Sequence, residues 1–393
     1  QRESWHDDGH WVQCLRYLME ISMQTLRIFF VVLLPLVLGQ CSQENGDGTC
    51  REAVSDVQRM GFPWKTVDPF VFCAYHHDRY PAGTSSLGPA KSLLAGHSIG
   101  SDFGHPAGWS MYHGETVPGF PQHPHMGFET ITIVTQGFVD HHDSLGCSGR
   151  FGSGDVQWMT AGKGVRHSEM FPLLNQSSSN ELELFQIWLN LERSKKQAKP
   201  YFKMLWNSDL PLVESTDGNS KKTTVRVIAG EYQGHTPPAP PPDSWASVKE
   251  AHLALWIVTL QSGAQWNLIP AAAPVRLRRR MYVYRGGVSA RGQLGGEVGV
   301  AAGEVAELDP SATIAVTAQS ETSLLIMQGR PIGQPVAHQG PFVANTQQEL
   351  GRAFEEYQRT GFGEWKWGAD GPVLPGNTER FAKCGDEPAQ KPT

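Results

Sequence analysis

Two short histidine motifs constrain this chain of 393 residues more than any other feature. The first, His123-Pro-His125, lies near the start of the stretch from Gly119 to Phe171, and the second, His167-Ser-Glu169, lies near its end. Side chains two residues apart on a β-strand project from the same face. Each motif can therefore point into one cavity, and together they offer three imidazoles and one carboxylate. This donor set predicts a metal site and suits iron, copper, nickel, zinc or manganese.

The residues between and after the two motifs are arranged as strands separated by turns. Apolar and polar residues alternate from Phe128 to Thr135, and both faces of this segment are partly apolar. That pattern is typical of a barrel strand that is packed on its outer side and filled on its inner side. Further strands are predicted over 156–160 and 182–190, and the glycine turn 161–164 leads towards the second motif. The sequence therefore predicts a β-barrel around the motifs.

Both motifs resemble the paired motifs of the cupin superfamily. The first cupin pattern, His-x-His-x3-Glu with a glycine beyond it, is matched by His123, His125, Glu129 and Gly137, and the second by the run from Gly162 to His167. The residues of both motifs are more similar still to those of one branch of the superfamily, the pirin family. The segments that resemble pirins are 123–130, 155–170 and, far downstream, 340–346. The resemblance covers roughly residues 51–367, and the long second motif makes it specific.

The resemblance implies an all-β fold of two consecutive cupin barrels (double-stranded β-helices, or jelly rolls) with a C-terminal helix. The 42 glycines and 27 prolines also favour many short strands and turns over helical bundles. We expect an N-terminal metal-binding domain at 51–210 and a C-terminal domain at 220–367. The second half has no histidine between His252 and His338, so we expect it to lack metal ligands.

Three other stretches carry local signals. Thr346, with Glu349 three residues further on, forms a capping box that predicts a helix over 346–359. The stretch from Tyr75 to Gly108 indicates an inserted surface loop. The histidines in and around that stretch, which we expect not to be ligands, are His76, His77, His97, His105 and His113. The run from Pro237 to Pro242 indicates an exposed insertion loop, with a partner-binding polyproline segment as the alternative.

The two ends of the chain are expected to lie outside the barrels. Residues 1–50 are interpreted as a leader with a signal peptide at 23–39, because its apolar run has the length of a signal-peptide core and is too short to span a bilayer. This interpretation places the start of translation at Met23 and directs the protein to the secretory pathway. The alternatives are an uncleaved interfacial anchor, or a protein of the cytoplasm or nucleus. Residues 368–393 are polar and are expected to be disordered.

Charge and cysteine spacing exclude several classes of protein. A net charge of −6 gives no case for direct binding to nucleic acid, which normally needs a basic face. No Cys-x-x-Cys sequence is present, so a zinc ribbon or a thioredoxin-like redox motif is not supported. Cys41 and Cys50 can close a small loop in an oxidising compartment. Cys73 and Cys147 are expected to be partly buried thiols.

The choice of carboxylate ligand separates two patterns. Glu129 shares strand parity with the first two histidines and is the ligand in many single-domain cupins. Pirins use instead the glutamate two positions after the third histidine, which is Glu169 here. The resemblance therefore implies that His123, His125, His167 and Glu169 bind the metal and that Glu169 is also catalytic. Glu129 is then expected to orient one of the imidazoles.

Three further residues belong to the environment implied by the resemblance. Gln157 and Trp158 are next to the site in the pirin pattern and are expected to line the pocket, although core packing is the alternative for Trp158. Met126 is a departure, because pirins commonly carry arginine after His-Pro-His. The loss of that cation beside the metal is expected to alter the substrate or the partner.

The leading functional hypothesis implied by the resemblance is a quercetin 2,3-dioxygenase-type oxidoreductase. It would open a flavonol-like ring with dioxygen and release carbon monoxide. The metal would act as a Lewis acid for the flavonol oxygen, and Glu169 would accept the phenolic proton. We expect one divalent transition metal, iron in the first place, with copper, nickel, cobalt, manganese and zinc as alternatives.

Two other functions are considered. Pirins are also described as nuclear, iron-dependent co-regulators that bind transcription factors, so the alternative is a non-enzymatic co-regulator with a protein partner. The expected signal peptide and Met126 argue against it. An inert storage-type bicupin is disfavoured because the ligand set is retained.

Overall fold

The computed structural model describes residues 52–271, 273, 276–293 and 295–393. The expected leader, its signal peptide at 23–39, and the cysteines Cys41 and Cys50 lie outside these residues. Strands dominate the described chain, as expected, and a single longer helix follows the second set of strands. No helix among the described residues is long and apolar enough to cross a bilayer.

The strands are numbered in chain order. They are β1 (Val54–Arg59), β2 (Phe70–Tyr80), β3 (Gly119–His125), β4 (Phe128–Gln136), β5 (Phe138–Asp143), β6 (Cys147–Gly152), β7 (Val156–Thr160), β8 (Val165–Met170), β9 (Asn180–Asn190), β10 (Tyr201–Leu205), β11 (Leu212–Thr216), β12 (Lys222–Ala229), β13 (Ala254–Leu260), β14 (Gln265–Leu268), β15 (Arg278–Arg285), β16 (Gly287–Arg291), β17 (Val298–Ala301), β18 (Glu304–Leu308), β19 (Ile314–Ala318), β20 (Thr322–Gly329), β21 (Ala337–Gln339), β22 (Phe342–Ala344) and β23 (Phe381–Cys384). The 3-10 helices are Lys91–Leu93, Arg193–Lys195, Asn207–Asp209, Trp245–Ser247 and Lys249–Ala251.

The strands form two barrels, each built from two antiparallel sheets. In the first barrel the sheet orders are β10-β7-β4-β9-β2 and β23-β6-β5-β8-β3. In the second barrel they are β1-β18-β15-β20-β13-β12-β11 and β14-β19-β16-β17. Strands β21 and β22 form a separate pair. The expected all-β fold of two consecutive cupin barrels with a C-terminal helix is confirmed.

The helix α1 (Gln347–Thr360) begins where the capping box predicts. The hydroxyl of Thr346 accepts a hydrogen bond from the backbone N–H of Glu349 at 3.2 Å, which satisfies one of the free donors at the helix start. The chain leaves the helix through Gly361, whose φ of 56° suits a residue without a side chain. Buried Leu350 packs the helix against Phe342 of β22.

The two ends of the described chain cross between the barrels. Strand β1, near the amino end, pairs with β18 of the second barrel, with Val54 opposite Leu308. Strand β23, near the carboxyl end, pairs with β6 of the first barrel. The expected boundaries at 51–210 and 220–367 follow the order of the chain, whereas the sheets exchange these two end strands.

The expectation of a disordered tail at 368–393 is wrong. This segment contains β23, and a disulfide joins Cys384 to Cys147 across 237 residues. Cys147 is therefore not a free thiol, whereas Cys73 is free and buried. The buried guanidinium of Arg150 also donates to the carbonyl groups of Leu374, Pro375 and Thr378. A few buried polar contacts and one covalent bond order this tail, and its polar composition does not reveal them.

The outer face of β4 packs against the second barrel. Ile131 and Ile133 on this face share a buried apolar core with Leu255 and Ile257 of β13. The alternate residue, Thr132, points into the first barrel and bonds to residues near the histidines. The apolar character of both strand faces therefore has a simple reason, since one side fills the barrel and the other contacts the second barrel.

Candidate metal centre

Strands β3 and β8 bring three imidazoles together inside the first barrel. They pair antiparallel, with His123 directly opposite His167, and His125 lies two residues further along β3. The ring centroids of His123 and His167 are 4.5 Å apart, and that of His125 is 4.8 Å from the first and 4.7 Å from the second. The nitrogen atoms available as ligands lie within 4.8 Å of one another. These three donor atoms are therefore close enough together to hold one metal ion.

The protonation of these imidazoles suits a cation. Burial lowers the pKa of His123 to about 4 and holds those of His125 and His167 well below the usual value, so all three rings are neutral at pH 7. Both ring nitrogens of His125 and of His167 are buried and make no hydrogen bond of normal geometry within the described residues. Buried polar atoms without partners are rare in folded proteins. Neutral imidazole lone pairs of this kind fit a bound divalent transition metal.

The ring of His123 is oriented by the backbone. Its Nδ1 lies 2.9 Å from the carbonyl oxygen of Pro121, and a carbonyl can only accept a hydrogen bond. The proton of the neutral ring therefore lies on Nδ1, and Nε2 carries the free lone pair. A metal-ligating histidine is usually held in one orientation by a hydrogen bond from its other ring nitrogen, the one that does not bind the metal.

Glu169 lies beside the three imidazoles, outside their compact cluster. Its Oε2 is 3.9 Å from Nε2 of His167. Thr132 Oγ1 lies 3.0 Å from Glu169 Oε1, and Gln186 Nε2 donates to Oε2 at 2.7 Å. Burial raises the pKa of this carboxyl, while the nearby His141 and the two hydrogen bonds oppose the rise. Sequence reasoning did not assign Thr132 or Gln186 to the site, although their alternation along β4 and β9 places them inside the barrel.

Glu129 does not orient an imidazole, so that expectation is wrong. Its carboxylate is fully buried at the contact between the barrels, where it accepts hydrogen bonds from Thr160 and from Ser244 of the second half. Burial raises its pKa to about 7. The parity argument fails because the turn at Gly127, with a φ of 86°, separates β3 from β4. Alternation within one strand does not continue through such a turn into the next strand.

Gln157 and Trp158 do not line the cavity, contrary to expectation. Trp158 packs in the apolar core between the barrels, which was the alternative for this residue. Gln157 Nε2 donates to His141 Nδ1 at 2.9 Å, and His141 Nε2 lies 3.1 Å from Asp143 Oδ2. The His141 ring centroid is 5.4 Å from that of His167. This buried polar chain behind the third imidazole was missed, although the His-x-Asp spacing from 141 to 143 was a usable signal.

The third segment of the family resemblance supports the turn that follows His125. The backbone N–H of Met126 donates to the carbonyl of Pro341, and that of Val343 donates to the carbonyl of Met126. A Cβ on Gly127 would lie 1.8 Å from the carbonyl oxygen of Val343, so glycine is required there. Lys196, whose pKa burial lowers to about 7, also donates to the Gly127 carbonyl at 2.8 Å. The second half of the chain thus fixes the position of a candidate ligand strand.

A cavity of about 290 Å³ adjoins the imidazoles. Its polar wall includes Thr132, Glu169 and Gln186, next to His123 and His125. Aromatic rings form much of the remaining wall: Phe62, Phe72, Phe103, Phe120, Phe171 and Trp188. Phe103 comes from the inserted segment, which begins after β2 ends at Tyr80 and not at Tyr75. The insertion therefore contributes to the cavity, a role that its loop-like composition did not indicate.

The fold and the site define a bicupin whose first barrel carries a cluster of three histidines suited to a metal ion. The models of two protein domains match the chain, Pirin at residues 57–189 and the Pirin C-terminal cupin domain at 255–363. The chain belongs to the pirin family.

Relatives and solved structures agree with this family. The chain is 34% identical over 283 residues to a Pseudomonas aeruginosa protein provisionally named quercetin 2,3-dioxygenase, a match that covers 70% of this chain and 92% of the relative. It is 35% identical over 243 residues to Pirin-1 of Arabidopsis thaliana, covering 61% and 79%. The crystal structure of quercetin 2,3-dioxygenase from Acinetobacter baumannii matches with a TM-score of 0.61 and 25% identity, covering 80% of this chain and 99% of that one.

Proposed function

We propose that this protein is a metal-dependent dioxygenase of the quercetin 2,3-dioxygenase type, which uses dioxygen to open a flavonol-like ring. In this proposal His123, His125, His167 and Glu169 hold one divalent transition metal. The observation that carries the proposal is an aromatic cavity in direct contact with both the imidazole cluster and a carboxyl group that can accept a proton. The names of the Pseudomonas and Acinetobacter relatives support the same reaction class.

The three neutral imidazoles are the donors for the metal. The ring nitrogens of His125 and His167 have no hydrogen-bond partner in the described structure, and the donor set suits iron, copper, nickel, cobalt, manganese or zinc. When bound, such an ion supplies Lewis-acid stabilisation to an anionic substrate oxygen. The carboxylate of Glu169 is the proposed fourth ligand, since its Oε2 lies 3.9 Å from His167 Nε2.

The hydrogen bonds of Glu169 suit a group that gains and loses a proton. The Thr132 hydroxyl lies 3.0 Å from Glu169 Oε1 and 2.6 Å from Gln186 Oε1, but it has only one proton to donate. When Glu169 is ionised, Thr132 donates to Oε1. When Oε1 is protonated, it donates to Thr132, which then donates to Gln186. The 3.0 Å contact between Thr132 and Glu169 Oε1 is therefore a hydrogen bond in both protonation states, whereas the 2.6 Å contact between Thr132 and Gln186 Oε1 is one only when Glu169 is protonated. Burial raises the pKa of this carboxyl towards that of a useful base.

The cavity walls suit a flat aromatic substrate. The ring of Trp188 lies 4.4 Å from that of Phe72 and 5.4 Å from that of His125. Aromatic walls bury planar ligands through offset and edge contacts, and they exclude water from the reacting atoms. Pockets for small molecules are commonly lined in this way, with a few polar groups that fix the orientation.

Oxygen consumption tests the proposal. Protein loaded separately with Fe, Cu, Ni, Co, Mn or Zn is mixed with quercetin, and oxygen uptake, loss of flavonol absorbance and carbon monoxide are measured. We expect turnover with at least one metal and none with His125→Ala. His77→Ala is the control, because His77 lies exposed on β2. Tight flavonol binding without oxygen uptake by any metal form would refute the proposal and favour the non-enzymatic co-regulator.

We also propose that the protein enters the secretory pathway. The apolar stretch at 23–39 supports this destination. The disulfide between Cys147 and Cys384 supports it independently, since such bonds persist mainly in oxidising compartments.

A further inference from the structure

We infer that His76 is a hydrogen-bond acceptor for a second substrate hydroxyl, so that the cavity selects polyhydroxylated aromatic ligands over those with a single hydroxyl. The inference rests on the proposed function for the identity of its ligands. His76 lies on β2 and lines the cavity. It is separated along the wall from the imidazole cluster by Phe120, whose ring centroid is 6.0 Å from that of His76 and 6.2 Å from that of His123.

A buried chain of hydrogen bonds fixes the tautomer of His76. Tyr112 donates its hydroxyl proton to Asp78 Oδ2 at 2.7 Å. The same hydroxyl oxygen lies 2.8 Å from Nδ1 of His76. Because a phenol has only one proton, Nδ1 of His76 must be the donor in this second contact. The other ring nitrogen, Nε2, is therefore the one that carries the lone pair.

The charges along the chain are consistent with this assignment. Burial raises the pKa of Asp78 to about 6, so at pH 7.5 its carboxylate is ionised and can only accept. It also accepts from the backbone N–H of Ser110 at 2.9 Å. Burial lowers the pKa of His76 to about 4, so its ring is neutral at the same pH. A neutral ring with its proton on Nδ1 presents an acceptor at Nε2 and no donor.

The free acceptor has no hydrogen-bond partner among the residues that the structure describes. Within the described part of the chain Nε2 of His76 makes no hydrogen bond, although the residue is only 6% exposed. Its ring neighbours are aromatic, with Phe62 at 5.8 Å in an edge contact. An acceptor surrounded by apolar rings discriminates strongly, because a ligand without a matching donor leaves it unpaired. A hydroxyl satisfies it, and an ether or a carbonyl does not.

Backbone hydrogen bonds to the inserted segment hold Tyr112, the residue that fixes the tautomer. Tyr112 has a φ of 57°, an uncommon backbone conformation for a residue with a side chain. It is held there by paired backbone hydrogen bonds with Asp102, whose side chain also accepts from the N–H of Met111. Strained conformations of this kind persist where the surrounding contacts enforce them, and they cluster at ligand sites. Tyr112 is thus a positioning residue that acts through His76.

Binding of two flavonols tests the inference. Quercetin and 3-hydroxyflavone, which has only the hydroxyl next to the ring carbonyl, are titrated into the metal-loaded full chain without oxygen, and quenching of tryptophan fluorescence gives each Kd. We expect His76→Phe to weaken quercetin binding about 5-fold, the usual effect of one lost hydrogen bond, and to change 3-hydroxyflavone binding less than twofold. The exposed neighbour on the same strand supplies the control His77→Phe, which should change neither Kd.

Two further variants keep the inference falsifiable if His76→Phe does not fold. His76→Gln retains an acceptor and should restore much of the preference for quercetin. Tyr112→Phe removes the hydroxyl that fixes the His76 tautomer and should reduce the preference for quercetin about threefold. Equal losses for both ligands, or no loss for either, would overturn the inference. If no metal form consumes oxygen but the preference for quercetin still depends on His76, the dioxygenase proposal fails and this inference stands. If a metal form consumes oxygen but His76→Phe leaves the preference for quercetin unchanged, the dioxygenase proposal stands and this inference fails.

Discussion

Replacing Cys384 by serine should substantially lower the free energy of unfolding. The disulfide between Cys147 and Cys384 joins β6 to β23 across 237 residues, more than half of the described chain. A cross-link restricts the unfolded chain, and for a loop of this length the chain-entropy relation gives roughly 5 kcal/mol at 25 °C. Residual structure in the unfolded state reduces such values, so we expect a measured loss of about 2–5 kcal/mol.

The native arrangement of the tail should survive this substitution. Arg150 still pairs with Asp140 and donates to the tail carbonyls, and Arg380 still pairs with Asp155 at 3.0 Å. The effect should therefore appear in unfolding and not in the content of bound metal. This distinguishes a constraint on the unfolded chain from damage to the site.

The assay is guanidinium unfolding followed by fluorescence, on wild-type protein and Cys384→Ser, each with and without dithiothreitol. With Cys41 and Cys50 replaced by serine in both proteins, the oxidised parent should have the highest midpoint, the reduced parent should coincide with the variant, and reductant should not affect the variant. The remaining described cysteine, Cys73, is a free buried thiol and offers no second bond to reduce. Equal midpoints for the oxidised and reduced parent, once mass spectrometry has verified the bond, would refute the reasoning.

Four further predictions concern buried polar groups and targeting. Arg150→Met leaves Asp140 buried without its cation and should cost about 3–5 kcal/mol in urea unfolding, with partial recovery in Arg150→Met/Asp140→Leu; an unchanged single variant would contradict the pairing. The folded-state pKa of Glu129, about 7, lies above the ordinary value of 4.5, so its contribution to stability is present below pH 4.5 and is lost as the pH rises through 7. The free energy of unfolding of Glu129→Gln, relative to that of wild-type protein, should therefore rise by about 3 kcal/mol between pH 4.5 and 8. A difference between the two proteins that stays constant over this pH range would be evidence against the raised pKa. Glu169→Gln at saturating metal should keep the metal but lose at least about 100-fold in turnover, and full activity would exclude it as the base. A tagged chain beginning at Met23 should be secreted after cleavage at Gly39, whereas a purely nuclear signal would contradict the targeting proposal.

The sequence predicted those parts of the site that depend on periodicity within one strand. His123 and His125 lie two apart on β3, and His167 and Glu169 lie two apart on β8, so each pair faces the same side. Prediction failed for Glu129, where the argument had to pass through a turn with a positive φ. A turn resets the direction of the side chains, and only the folded structure gives the new direction.

The parts that could not be predicted depend on contacts between distant residues. Cys147 and Cys384 carry no spacing signal, since their partnership depends on β23 returning to pair with β6. The chain from Asp78 through Tyr112 to His76 likewise depends on where the inserted segment folds back. Composition reports that such a segment is polar or rich in glycine. It contains no information on which buried carboxylate or ring the segment will meet.

The second barrel, although its sequence offers no set of histidine ligands, is part of the site. Its Ser244 bonds to Glu129 at the start of β4, and the Pro341–Val343 segment bonds to the backbone of Met126 directly after the candidate ligand His125. It also covers Ile131 and Ile133, which would otherwise form an exposed apolar patch on the first barrel. Because β1 and β23 each complete a sheet of the opposite barrel, neither half has all its strands without the other. The two barrels are therefore structurally interdependent, and the second barrel positions the turn between the first histidine motif and β4.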